Sequence, residues 1–185
     1  MILKEVVMRI VAGKYRHRLL VFPEDNNIRP TKDRIREALF SSLGNINNYQ
    51  VLDLYAGSGA MGIEAISRGA SHCYFVDINK VALKTIKDNI ANLQIDNATI
   101  LNKKDVEALE YFAHNNIKFD LIILDPPYKE GKYNEVITYI INNDLLIKGG
   151  VIVTECNYEI DLSNINYQRI KKHSYGEIKI NILYF

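Results

Sequence analysis

Residues 51–77 read VLDLYAGSGAMGIEAISRGASHCYFVD, and this stretch decides the fold. VLDLY is apolar and strand-like. Gly57, Gly59 and Gly62 follow at once in GxGxxG spacing, and AMGIEAISRG has the pattern of a helix. SHCYFVD then returns to a strand. A strand, a glycine turn, a helix and a second strand in so few residues make a crossover unit, whose two strands run parallel and whose connection is right-handed.

Reading onward, the alternation persists. NKVALKTIKDNIANL is a helix with apolar residues at 83, 86, 90 and 93, and ATILNKKD is a strand. VEALEYFAHN, FDLIILD, YNEVITYIINND and GGVIVTEC continue as helix, strand, helix and strand. This predicts a doubly wound α/β sheet with helices on both faces. Two closing strands, about 167–173 and 177–185, are separated only by Ser174 to Gly176, so this pair is antiparallel. Upstream, VVMRIV (6–11) and HRLLVF (17–22) flank a turn at Gly13 and predict a β-hairpin. After the polar loop PEDNNIRP comes TKDRIREALFSSLG. There Thr31 can cap a helix, Ile35, Leu39 and Leu43 keep its spacing, and Gly44 can end it. Its outer face is expected to display Lys32, Arg34 and Arg36. The organisation is an N-terminal appendage over 1–44 and an α/β domain over 45–185.

A chain of 185 residues suits one core. No window approaches eighteen uncharged apolar residues, so no membrane-spanning helix is expected, and no secretion signal is readable at the start. Cys73 and Cys156 each lie in a strand-like run, as buried reduced thiols do, so a cytoplasmic location is expected. A net charge of +1 argues against a general polyanion binder. Yet residues 1–38 hold nine Lys/Arg against five Asp/Glu, a surplus of four, so the rest of the chain carries −3. The cationic surface is concentrated at the N-terminus.

The glycine turn alone is a weak sign of a ligand, but three acids accompany it. Asp77 ends the next strand, where a carboxylate can accept from ribose hydroxyls. Asp53 precedes the turn within its strand, where its charge needs a ligand ammonium or loop N–H groups. Asp105 closes the third strand, in reach of an adenine edge. Such acidity is poorly matched to a pyrophosphate and well matched to S-adenosylmethionine, which carries a sulfonium, an amino group and no phosphate. The fourth strand ends in Asp125-Pro126-Pro127-Tyr128. An Asp oxygen and the Pro126 carbonyl can both accept from one planar NH₂ group, Tyr128 offers a face for a base, and Pro127 stiffens the turn. That set suits methylation of an exocyclic amine. No metal is required, and the histidines at 17, 72, 114 and 173 have no ligand spacing.

MRIVAGKYRHRLL, RPTKDRIREALFSSL, VLDLYAGSGAMGIEAISRGA, VDINKVALKTIKDNI and DLIILDPPY together resemble the bacterial 16S rRNA (guanine(966)-N(2))-methyltransferase family over nearly the whole chain. The resemblance implies a Rossmann-like seven-stranded methyltransferase sheet, S-adenosylmethionine as donor and S-adenosylhomocysteine as product. It also implies a guanine of 16S rRNA, in a 30S subunit or late assembly intermediate, as acceptor. By motif, Asp53 and the loop Tyr55, Ala56, Gly57, Ser58 and Gly59 would hold the methionine part. Asp77 with Ile78 would hold the ribose, Asp105 with Val106 the adenine, and Asp125, Pro126, Pro127 and Tyr128 the guanine. Arg9, Lys14, Arg16, Arg18, Arg29, Arg34 and Arg36 supply phosphate partners, Thr31 lies among them, and Tyr15 can stack on a base. The chain departs from the family at His17, where glycine is usual. A monomer with no membrane partner is expected. The alternatives are methylation of adenine N6 or of a protein glutamine amide, an NAD-dependent oxidoreductase, and a non-catalytic RNA-binding module. The oxidoreductase has no use for DPPY, and the binding module has no need of two intact sites.

Overall fold

The computed structural model describes residues 8–22, 33–126 and 131–185. A two-stranded hairpin, β1 (Met8–Arg9) and β2 (Leu19–Leu20), leads to helix α1 (Asp33–Leu43). Then β3 (Gln50–Leu54), α2 (Ala60–Ser67), β4 (His72–Asp77), α3 (Lys80–Leu93), β5 (Ala98–Asn102), α4 (Asp105–His114) and β6 (Phe119–Leu124) alternate. They are followed by α5 (Tyr133–Asn142), β7 (Leu146–Cys156), β8 (Arg169–Tyr175) and β9 (Ile178–Tyr184). β3 to β9 form one sheet in the order β5-β4-β3-β6-β7-β9-β8, with β9 antiparallel to both neighbours. The chain winds outward from β3 to β5 and returns to the other side of β3 as β6. The switch point therefore opens between β3 and β6, where ligands of such sheets bind.

Period-two patterning builds a core on each face. Val51, Cys73, Phe75, Leu121, Ile123, Val153 and Ile182 point to one side, with α2, α3 and the N-terminal segment. Leu52, Leu54, Val76, Ile122, Ile152 and Leu183 point to the other, with α4 and α5.

Three elements differ from the sequence expectation. Each hairpin strand is two residues long, because at Val11 the chain leaves the ladder and the N–H groups of Val11 and Ala12 go to the Glu64 carboxylate instead, at 2.8 and 3.1 Å. Residues 6–7, where the first strand was expected to begin, lie outside the described residues. β5 stops at Asn102, so Asp105 opens α4, where an acid favours the helix N-terminus. The final turn is Gly176-Glu177, since Ser174 and Tyr175 pair with Lys179 and Ile178.

The N-terminal segment shares the first core cluster. Met8, Ile10, Leu20, Ile35, Leu39 and Phe40 are all buried there. At about 1.5–3 kcal/mol per large apolar side chain, this seats the segment firmly on the sheet. Gly13 makes the approach possible. It has a φ of 83°, and a Cβ there would lie 1.8 Å from the Ser67 carbonyl oxygen at the end of α2. Instead Lys14 N–H donates to that carbonyl at 2.7 Å, and Tyr15 N–H to the Ser67 hydroxyl at 3.0 Å.

Candidate active site

The glycine loop is fixed from both ends. Gly59 has a φ of 77° and starts α2 without a side-chain cap. Asp77 tethers the loop: one carboxylate oxygen accepts from Gly57 N–H at 2.8 Å and the other from Asn79 N–H at 2.8 Å. Asn79 in turn caps α3 by accepting from Val81 N–H. Gly62 allows α2 to lie against β4, since a Cβ there would stand 2.3 Å from Phe75 Cε1 and 2.6 Å from Cys73 Sγ.

Asp53 lies beneath this loop, 3% exposed, and accepts from Gly62 N–H at 2.9 Å. Of the two kinds of partner open to it in the sequence, a backbone N–H beside the loop is present. Burial pushes its pKa up to about 7, the Gly62 hydrogen bond works against the rise, and the nearby Asp77 charge adds to it.

Asp105 receives the Tyr55 hydroxyl at 2.7 Å and its neighbour Val106 N–H at 2.9 Å. Tyr55 reaches it from a left-handed backbone with a φ of 74°. Beside these acids, Ile78 and Val106 are 63% and 52% exposed, two bare apolar side chains of a kind that a planar base can cover. Among the described residues no cluster of three or more His, Cys, Asp or Glu is placed to hold a metal, and no helix is long and apolar enough to cross a membrane.

Strand register aligns the carboxyl ends. Asp53 pairs with Phe75 and with Ile123, so two residues on Tyr55 stands between Asp77 and Asp125. Asp125 is half-buried and Pro126 buried at the end of β6. Pro127 and Tyr128 lie outside the described residues, as do Arg29, Thr31 and Lys32.

Of the proposed RNA contacts, Lys14, Arg16, Arg18 and Arg34 are exposed. Arg9 is exposed too and pairs with Asp33 at 3.1 Å. Tyr15 is half-buried, packs on the core and carries the Lys14 ammonium 4.9 Å from its ring centre. Arg36 is a correction. It is fully buried rather than displayed, donating to the Arg9 carbonyl and to Asp33 (3.0 Å), with Nε 3.8 Å from Glu64. Helical spacing turns it toward α2, where the buried Glu64 supplies its counter-charge.

Two supporting residues escaped the sequence reading. Glu64 is wholly buried and gathers Val11, Ala12, Arg36 and Arg68. Asn89 is 1% exposed, accepts from Val21 N–H at 2.7 Å, and donates to the Val21 and Ser58 carbonyls. The available signal was a polar residue on the apolar face of a helix.

Residues 8–184 match the family described as conserved hypothetical protein 95. The chain belongs to this family. Its relatives include ribosomal RNA small subunit methyltransferase D of Escherichia coli K12, 33% identical over 159 residues, covering 85% of this chain and 79% of that protein. The protein of that name from Buchnera aphidicola of Acyrthosiphon pisum is 37% identical over 147 residues, covering 79% and 76%. A solved Escherichia coli structure superposes with a TM-score of 0.83 at 30% identity, over 96% of this chain and 97% of that one.

The expected family and the Rossmann-like methyltransferase sheet with its antiparallel end therefore hold. Where the resemblance leads one to expect glycine, His17 has a φ of 69°, a left-handed conformation that glycine adopts without strain. The turn is kept, with His17 N–H donating to the Ile10 carbonyl at 2.9 Å.

Proposed function

We propose that the protein transfers a methyl group from S-adenosylmethionine to the exocyclic N2 of a guanine in 16S rRNA of the small ribosomal subunit. The observation that carries this reading is the Asp125-Pro126 strand end directly beside the glycine loop at the switch point, in a chain whose relatives bear the name of small-subunit rRNA methyltransferases. The cofactor fits the residues present: backbone close to the ligand at Gly57 and Gly59, a carboxylate at Asp77, and apolar side chains at Ile78 and Val106 for an adenine.

When bound, S-adenosylmethionine supplies a methyl group on a sulfonium, and the C–S bond breaks with its electrons kept by sulfur. The protein's task is to present the nucleophile. The Asp125 carboxylate and the Pro126 carbonyl each accept one N–H of the amine, which holds the nitrogen lone pair toward the glycine loop. Asp125 then takes the proton that the methylated nitrogen releases. Tyr128 stacks the base, and the target leaves its own stack to reach the site. In this reading residues 1–44 face RNA, with Arg9, Lys14, Arg16, Arg18, Arg29, Thr31 and Arg34 along the phosphates. Residues 45–185 carry cofactor and chemistry. The protein acts in the cytoplasm as a monomer on a 30S subunit or late assembly intermediate.

The test is incubation with labelled S-adenosylmethionine and unmodified 30S subunits, free 16S rRNA or DNA, followed by nucleoside identification. N2-methylguanosine from 30S subunits is expected, with loss of turnover and retained cofactor binding in Asp125→Ala. N6-methyladenosine, or full turnover in that variant, refutes the reading.

A further inference from the structure

The row of strand ends that holds Asp77, Tyr55 and Asp125 has one more polar member. The parallel β6–β7 ladder ends at the pair Leu124–Thr154, and the next residues of the two chains are Asp125 and Glu155, which continuation of the register would bring side by side. Alternation puts both on the face of Ile123 and Val153, the face of the glycine loop and Asp53. Glu155 is 4% exposed, and its backbone carbonyl is held by the Tyr133 hydroxyl at 2.5 Å. Its other neighbour in the register is Ile180, so its surroundings on that side are apolar. Glu155 and Asp125 are both engaged within the protein. A carboxylate also has about four acceptor directions, so a protein partner on one side leaves capacity toward the cleft.

Resting on the guanine-N2 reading above, we propose that Glu155 is a specificity-determining residue that accepts the ring N1–H of the target guanine while Asp125 and Pro126 hold its N2 amine. Guanine presents N1–H and N2–H₂ side by side, a donor pair that two adjacent carboxylates match. Adenine and cytosine place an unprotonated ring nitrogen beside their amine, and its lone pair faces Glu155 with no proton between them. Asp125 and Pro126 alone accept any planar amine, so they define the reaction, whereas Glu155 selects the base. A site built around a substrate N–H rejects the analogue that lacks it far more strongly than an apolar pocket does.

The test uses the full-length protein and small subunits reconstituted with 16S rRNA carrying guanine or adenine at the position mapped with the wild type. Wild type is expected to prefer guanine by at least ~100-fold in kcat/KM. In Glu155→Gln the amide still accepts from N1–H but can also turn its NH₂ toward an adenine N1. Guanine turnover should fall about tenfold and N6-methyladenosine should rise, so the guanine-to-adenine ratio drops by at least ~30-fold. S-adenosylmethionine affinity should stay within twofold of wild type. A parallel fall on both bases, as a purely structural role would give, or an unchanged ratio, overturns the proposal. If the glutamine variant does not fold, Glu155→Asp gives the same readout, with guanine turnover falling more than adenine turnover, and a parallel fall again overturns it. The wild-type arm separates the two readings. A product other than N2-methylguanosine there overturns the guanine assignment and this inference together, whereas N2-methylguanosine with an unchanged variant ratio overturns this inference alone.

Discussion

Asp53→Asn tests the electrostatics under the glycine loop. Asp53 is 3% exposed, accepts one hydrogen bond from Gly62 N–H, and has its pKa pushed up to about 7 by burial. In the unfolded chain an aspartate titrates near 3.9. Between about pH 4 and pH 7 the folded chain therefore keeps a proton that the unfolded chain has released. Stability contributed at this site is full below pH 4, falls as pH rises through the window, and is level above it. A gap of about 3 units at about 1.4 kcal/mol each makes the loss about 4 kcal/mol. Asparagine keeps an oxygen for Gly62 and cannot ionise. Its amide donors need a partner, which costs about 1 kcal/mol at every pH. The diagnostic is thus the change with pH in the difference between variant and wild type, which cancels the titrating groups that are not coupled to Asp53. Urea unfolding from pH 4.5 to 8.5 should show the variant gaining about 3–4 kcal/mol on wild type across the range. A difference that does not vary with pH refutes the argument.

Gly62→Ala drives a methyl group against buried Phe75 and Cys73. Overpacking of about 1–3 kcal/mol, offset by about 1 kcal/mol of helix preference, should lower Tm by a few degrees in a thermal melt. Asp77→Ala removes the proposed ribose acceptor and the tether of Gly57 and Asn79, so S-adenosylmethionine affinity by calorimetry should fall by more than ~1 kcal/mol, and equal affinity would remove Asp77 from the site. Arg36→Met leaves Glu64 its closer cation, Arg68 at 2.7 Å, but removes the donors to Asp33 and the Arg9 carbonyl, and should cost about 1–3 kcal/mol in urea unfolding. Arg34→Ala, on the exposed face of the same helix, should change stability by less than ~0.5 kcal/mol and lower the salt dependence of RNA binding by about one counterion.

What could be read from the sequence was whatever repeats with a period. Alternating strands and helices fix the winding, and glycine spacing with strand-end acids marks the crevice, because these depend only on residues near one another in the chain. Arg36 shows where such reading stops. Its helical position allowed either an outward or an inward face, and the choice depends on Glu64, twenty-eight residues away and itself hidden in an apolar helix. Asp105 was misplaced by three residues for a similar reason. A strand end and a helix start compete for it, and the Tyr55 hydroxyl that donates to it comes from the residue after another strand. Glu155 drew no attention in the sequence, since the approach of β7 to the end of β6 exists only once the two strands pair.

The N-terminal segment cannot be treated as an RNA arm attached to an independent enzyme. Asn89 hydrogen-bonds both the Val21 backbone and the Ser58 carbonyl, so one side chain of α3 joins the hairpin to the glycine loop. The Ser58 hydroxyl faces Met8 Sδ at 4.0 Å, and Glu64, on the helix that the loop opens, holds the hairpin backbone. A change that loosens the hairpin must then loosen the loop, and the reverse coupling follows by reciprocity. A weakened RNA interaction in a hairpin variant is consequently evidence for a phosphate contact only when cofactor affinity is unchanged. Arg16 and Arg18, whose exposed side chains lie outside this network apart from one 3.4 Å contact of Arg18 with the Asn92 carbonyl, are where the two effects separate most cleanly.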